Sequence, residues 1–407
     1  MDGKSQGRGQ AVLIYILPAL LDMVLSLVLF VGTVRVIKMG GDATRAASVL
    51  AVWSIVYVVT SPLIGRLVNS GNARRFILGG CLLFALSSGL LAVATGYSAM
   101  LALVGVCAVA TALFFTPFQV FMKDVDSAGG RSVAYSTGLY TFSWSTGSAC
   151  GPFVAGFLLQ LGKPATAGGE GPGWRYAFLF GAAVCLLMPV VLAFVSGGRT
   201  RRPAAPAATP TPTANARYSS MPDLAWLGWI GAVAGFAALS IVRAIFPARA
   251  MGPLHLSEST LGSIFFVLSM TQALLGLALM RSRYWMYRAL PVAAFAVAGI
   301  IGMLCLGFGN TPLMLIAGAA FFGIYSGAFC FYMVFHALVH PKRAGHYVAV
   351  NESLVGITGF LAPLLGGVMA DAWGIHFPYL VAALLTLAAM TFQVWIHGKT
   401  KLVNSEQ

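Results

Sequence analysis

Two carboxylates and a guanidinium stand inside otherwise apolar runs of this chain. Asp22 falls near the middle of residues 12 to 34, Glu352 lies near the start of 346 to 370, and Arg243 sits close to the end of 223 to 247. A charged carboxylate at the centre of a bilayer costs about 2.5 to 3.5 kcal/mol or more, so such a group ordinarily faces a cavity or a partner. Tyr15, Asp22, Ser26 and Thr33 follow one another at spacings of 7, 4 and 7, which puts them on one face of a helix. On that face Asp22 could exchange a proton or attract a cationic solute. The alternative is a protonated, hydrogen-bonded acid that only braces helices.

Glu352 has His336 and His340 as candidate neighbours, because both histidines close the preceding apolar run. Histidine titrates near neutral pH, so this group reads as a gate, a proton relay or a structural pair. Tyr325, Phe329, Tyr332 and His336 form a stripe at spacings of 4, 3 and 4. Such a face either holds an apolar or planar ligand or packs one helix against another. No HExxH, no phosphate-cradling glycine loop and no set of Ser, His and acid at compatible depth is present, so an enzyme is not expected. Cys81, Cys107, Cys150, Cys185, Cys305 and Cys330 all fall within apolar runs without CxxC spacing. They read as small packing residues, with no disulfide framework, metal site or cofactor expected.

The elements that must position these residues follow from composition. Of 407 residues 58% are hydrophobic and 9% charged, against about 25% charged in a soluble domain. Twelve runs satisfy the requirement of about 20 apolar residues for a membrane-spanning helix: 12–34, 46–68, 76–96, 99–122, 133–161, 175–196, 223–247, 260–280, 289–308, 312–338, 346–370 and 376–396. The first lacks a small-residue cleavage signature and reads as a retained helix. With the N-terminus inside, 18 Lys and Arg residues fall on that side against 7 on the other. The positive-inside rule then places both termini in the cytoplasm. The net charge of +14 thus reports topology, and no nucleic-acid partner is expected.

A small-residue series, Gly147, Gly151, Pro152, Ala155 and Gly156, returns as Pro363 and Gly367 at a shift of 211 residues. The same shift relates Arg131 to Lys342 and the segment Gly65–Asn72 to Gly276–Arg283. One shift for three landmarks indicates a tandem duplication, and internal repeats are common in transporters. Residues 197–222, alternating Pro, Ala and Thr after three arginines, read as a semi-extended linker between halves 1–196 and 223–407. On that alignment Arg243 lies ten residues beyond the position equivalent to Asp22, roughly 15 Å at 1.5 Å per residue. That gap is expected to keep the two charges apart, leaving Arg243 either snorkelling to the interface or holding an anionic group.

With these features the chain resembles the major facilitator superfamily over essentially its whole length. Gly65, Arg74 and Arg75 match the family's loop between the second and third helices, while Asn69 replaces its acid and Ser70 a basic residue. Gly147, Gly151, Pro152 and Gly156 match the antiporter-associated pattern of the fifth helix, with Ala155 departing. The Arg-x-x-Gln-Gly pattern of many proton-coupled drug exporters is absent from the fourth span.

The resemblance implies an all-α integral membrane protein of two six-helix pseudo-repeats in the cell membrane, working as a monomer. It implies alternating access for a small, amphipathic organic solute, with export by exchange and protons as a candidate coupling ion. It also places Tyr15, Ser26, Arg243, Tyr325, Phe329, Tyr332 and His336 around a central cavity, with Asp22 and Glu352 as its acids. Gly147, Gly151, Pro152, Gly156, Pro363 and Gly367 are expected to form packing seams or hinges. The competing expectation is a membrane sensor that keeps the fold without net flux.

Overall fold

The computed structural model describes residues 3–69, 71–128, 133–161, 171–194, 223, 225–281, 284–285, 288–339 and 344–405. Among these residues there are twelve helices and no strands. In the first half these are α1 (Gly3–Lys38), α2 (Ala43–Leu67), α3 (Ala73–Leu91), α4 (Tyr97–Ala128), α5 (Val133–Leu161) and α6 (Gly173–Phe194). The second half holds α7 (Ala225–Met251), α8 (Glu258–Arg281), α9 (Ala289–Phe308), α10 (Pro312–Val339), α11 (Ala344–Trp373) and α12 (Phe377–Ser405). Residues 197–222, assigned above to a linker, lie outside the described residues, as do Arg131, His340 and Lys342.

Helices are the required solution here. In hydrocarbon every backbone N–H and C=O must be satisfied within the segment, which a helix does alone. Eleven of the twelve are long and apolar enough to cross a bilayer; α5, where Gly, Ser and Thr interrupt the apolar run, is not among those eleven. Short turns make successive helices antiparallel. Gly40 and Gly374 terminate α1 and α11 with φ of 79° and 97°, the left-handed conformation that glycine adopts without a Cβ penalty. For reference below, the terminal face is the one where α1 begins, and the far face is the one where it ends.

Large apolar side chains stand exposed along the peripheral helices: Leu82, Leu86 and Leu90 on α3, Leu186, Leu187 and Val190 on α6, Leu290, Val297 and Ile301 on α9, and Leu380, Leu384 and Leu385 on α12. Such a belt belongs in lipid, where exposure costs nothing. Across the two halves α5 packs on α8 and α2 on α11.

The duplication is visible in how the halves join. α5 runs antiparallel to α8, and a Cβ on Gly156 would lie 2.4 Å from the Glu258 carbonyl oxygen, while one on Gly262 would lie 2.4 Å from that of Pro152. α11 runs antiparallel to α2, and a Cβ on Gly367 would lie 2.6 Å from the Thr44 Cα. Gly156 and Gly367, related by the sequence shift, thus each receive the first turn of the second helix of the opposite half.

Candidate functional site

Asp22 lies halfway along α1, and its neighbours are set by the glycines of α5. A Cβ on Gly147 would fall 2.1 Å from the Ala19 carbonyl oxygen, and one on Gly151 would fall 2.4 Å from that of Met23. Bare glycine backbone therefore lets α5 lie directly on α1. Close contact brings the next residue, Ser148, toward the carboxylate, near enough for its hydroxyl to favour the charge on Asp22. The same hydroxyl accepts from Arg243 Nη2 at 2.9 Å. A hydroxyl has one proton to give and lone pairs to receive with, so Ser148 serves both charges at once. Asp22 and Arg243 attract each other electrostatically across it.

This arrangement corrects the expectation that Arg243 lies out of reach of Asp22 and snorkels to the interface. Side chains on a helix lean toward its N-terminus. α7 starts at the terminal face, so Arg243 folds back toward the depth of Asp22, and Ser148 spans the remaining distance. The sequence alignment also assumed equal depth for the first helix of each half, which interhelical packing does not require.

Glu352 lies on α11, and the partners that hold it come from the other half. Its carboxylate lies near the polar ends of Gln119 on α4 and Tyr57 on α2, close enough for both to favour its charge. Gln119 also lies near Tyr140 on α5, and Tyr57 near Ser61, which in turn hydrogen-bonds Thr116 at 2.8 Å. Two stacked ring pairs border this network, Trp53 with Tyr57 at 5.2 Å between centroids and Phe118 with Tyr140 at 6.2 Å. His336 stands among Trp285, Tyr332 and Phe335.

The α10 stripe mostly packs between helices. Tyr325 rests on Gly299 of α9 and Phe329 on Gly235 of α7, and both are buried. Tyr332 donates to the Trp285 carbonyl at 3.1 Å. On the α1 face Tyr15 is buried, with its carbonyl accepting from Ser143. Ser26 turns its hydroxyl back to the Asp22 carbonyl at 2.6 Å.

Between α2 and α3, Asn69 caps the turn by accepting from the Gly71 and Asn72 amides at 2.9 and 3.1 Å. Gly65 faces the Thr116 side chain. Arg74 donates to the Leu192 carbonyl at 3.1 Å, while Arg75 is exposed.

Sequence reading missed several polar residues that cross between halves. Gln272 on α8 donates to Ser145 on α5 at 2.9 Å and accepts from Ser326 at 2.6 Å, all three being buried. At the far face Lys38 pairs with Glu258 at 2.7 Å. There, too, Asp371 of α11 accepts from the Ala43 and Thr44 amides at 3.0 Å each and from the Thr44 hydroxyl at 2.6 Å. A mid-span amide such as Gln272 was a usable signal; Ser148, one hydroxyl among many on α5, was not.

A six-plus-six helical bundle whose halves meet through buried polar side chains at mid-depth is the architecture of a membrane transporter. The match of residues 11–340 to the Major Facilitator Superfamily model places the chain in that family. Among curated proteins it is similar to the Multidrug resistance protein 2 of Bacillus subtilis (strain 168), 27% identical over 146 residues. That stretch is 36% of this chain and spans 33% of the relative. Among solved structures it resembles a bacterial homologue of the human lysosomal transporter Spinster in an inward-facing, occupied conformation. There the TM-score is 0.69, with 15% identity and 97% of each chain covered. It also resembles a mutant of the nucleoside transporter NupG, with TM-score 0.66, 13% identity, and 95% and 99% of the two chains covered.

Proposed function

We propose that this protein is a secondary transporter that moves a small amphipathic organic solute by alternating access, coupled to protons through Asp22, with the terminal face in the cytoplasm. The observation carrying this reading is the Asp22–Ser148–Arg243 bridge, in which α1 and α5 of one half hold α7 of the other at mid-depth. Rocking one half against the other must stretch or break it. Protonating Asp22 removes the charge that attracts Arg243 and weakens the bridge, so proton transfer and reorientation share one group. A neutral or singly charged solute fits an interior with so few charges, and the partial likeness to a relative named for multidrug resistance is in keeping with it.

The test begins with a melting-temperature screen of the full chain against metabolites and drugs, since a ligand that binds the folded state raises it. The strongest hit is then loaded into proteoliposomes under an imposed pH gradient. Wild-type flux is expected to follow the gradient, and Asp22→Asn flux to fall at least about tenfold and ignore it, the loss expected when a positioned proton-transfer group is removed. Wild-type flux indifferent to the gradient, or an Asp22→Asn variant that responds normally, removes the coupling role. Ligand stabilisation without any flux returns the protein to the sensor class.

A further inference from the structure

We propose that the connection between α8 and α9 carries a binding site for the phosphate headgroup of an anionic phospholipid, centred on Arg288 and Tyr284 at the terminal face. The guanidinium carbon of Arg288 lies 4.4 Å from the centre of the Tyr284 ring. Both side chains are exposed, as is Arg281 at the end of α8. What turns them outward is Trp285, whose own side chain turns in. It is buried, its Nε1 donates to the Leu279 carbonyl at 2.9 Å, and its ring stands against Phe331, Tyr332 and Phe335 of α10. Tyr332 also donates to the Trp285 carbonyl at 3.1 Å. The matching connection of the first half spends its residues differently. At the shift of 211 residues Arg74 stands where Trp285 does, and its guanidinium is committed to the Leu192 carbonyl at 3.1 Å.

Charge, place and the ring together identify the occupant. The sequence has no Asp or Glu between Glu258, at the opposite end of α8, and Glu352 on α11. The segment that bears Arg281 and Arg288 therefore supplies them no carboxylate of its own. A guanidinium presents a planar fork of donors that matches a phosphate, and a zwitterionic lipid would bring a cation of its own against these two. Leu290, two residues beyond Arg288, is 70% exposed and opens the lipid-facing line that continues with Val297 and Ile301 along α9. A headgroup at Arg288 thus leaves its acyl chains beside that line, where a soluble phosphate compound would have nothing to place. Tyr284 is 60% exposed, and tyrosine favours the boundary where an apolar ring and a polar tip can both be satisfied. Its face also attracts the guanidinium through the ring quadrupole and so holds Arg288 in place.

The site is independent of the transport reading, and its occupancy is measured without flux. The full chain in a neutral detergent is titrated with dioleoylphosphatidylglycerol and, separately, with dioleoylphosphatidylcholine, and bound lipid is followed by native mass spectrometry. Wild type is expected to hold the anionic lipid at least about fivefold more tightly than the zwitterionic one. Arg288→Gln is expected to weaken the anionic lipid about fivefold, the equivalent of about 1 kcal/mol for one basic side chain at an anionic surface. Arg75→Gln removes an exposed charge from the matching connection of the first half and is expected to leave binding unchanged. Tyr284→Leu keeps every charge and is expected to weaken the lipid about two- to fivefold by releasing the guanidinium; it carries the test should melting temperature show Arg288→Gln to be unfolded. Equal losses in Arg288→Gln and Arg75→Gln would reduce the effect to general attraction by a basic face and overturn the site. Wild type that holds both lipids alike, or Tyr284→Leu that binds as wild type does, also overturns it. Displacement of the lipid by an equal concentration of glycerol 3-phosphate would assign the position to a soluble phosphate instead.

Discussion

Two seams join the halves, and they are built from different materials. Along α5 and α8 the far-face contact is backbone on backbone, where Gly156 meets Glu258 and Ser259 and Gly262 meets Pro152, and side chains take over further along, with Gln272 on Ser145 and Met280 against Gly138. Along α2 and α11 a carboxylate stands toward each end, both supplied by α11. Asp371 binds the first turn of α2 at the far face, and Glu352 faces Tyr57 and Gln119 toward the terminal face. Close packing changes steeply with distance and favours a seam that slides or pivots as a unit. Charge-assisted hydrogen bonds are made or broken individually. On the alternating-access reading proposed above, the first seam would serve as a bearing and the second as a pair of latches, one for each direction of opening.

The largest effect is expected where shape alone decides. Gly262→Val places three carbons where even a Cβ would stand 2.4 Å from the Pro152 carbonyl oxygen and 3.1 Å from its carbon. Neither backbone atom can yield without parting α5 from α8. Overpacking of this kind costs about 1 to 3 kcal/mol and sometimes more, so the purified variant is expected to melt several degrees lower or to lose its monodisperse peak in size-exclusion chromatography. A variant as stable as wild type would show that the seam is looser than a bearing requires.

The latch prediction is smaller and directional. A carboxylate on the first turn of a helix gains from the N-terminal dipole and from charge-assisted hydrogen bonds, together about 1 to 2 kcal/mol. Asp371→Asn removes the charge while keeping an acceptor, so the far face should open more often, roughly five- to tenfold if about 1 to 1.4 kcal/mol is lost. Spin labels at Met39 and Leu313, exposed on opposite halves at that face, report it by double electron–electron resonance as a growing long-distance population. An unchanged distance distribution would assign the closure to Lys38–Glu258 and the apolar contact of Phe30 with Phe265 instead of to Asp371.

What the sequence disclosed and what it withheld divide along the same line. Helix existence was legible because membrane burial imposes long apolar runs, and the run 289–308 coincides with α9. The repeat was legible because Pro152 and Pro363 share one shift with Gly156 and Gly367. Small residues at every fourth position announced a close approach, yet not to which helix, and the answer differs within one motif. Gly147 and Gly151 pack on α1 of their own half, while Gly156 packs on α8 of the other. Polar contacts between halves were the least legible. Whether Arg243 reaches Asp22 depends on helix tilt, relative depth and a serine between them, and residue spacing along one helix carries none of these. Asp371 was missed because an acid just past the end of an apolar run looks like an ordinary solvated terminus.

The smallest predicted effect separates the bearing from a merely glycine-rich helix. Gly276 lies on α8 facing α5, as Gly262 does, but a Cβ there would meet only the Thr141 methyl at 3.6 Å, an ordinary van der Waals distance. Gly276→Ala also replaces a residue that costs up to about 1 kcal/mol in a helix interior with the best helix former. The variant is expected to melt at or slightly above the wild-type temperature and to keep its transport rate. If it falls as far as Gly262→Val, tolerance along the seam does not follow local clearance, and the α5–α8 contact moves through a closer state at Gly276. Neutrality would confine the demand for bare backbone to Gly156 and Gly262, the far-face part of the seam, where the first turn of α8 crosses the end of α5.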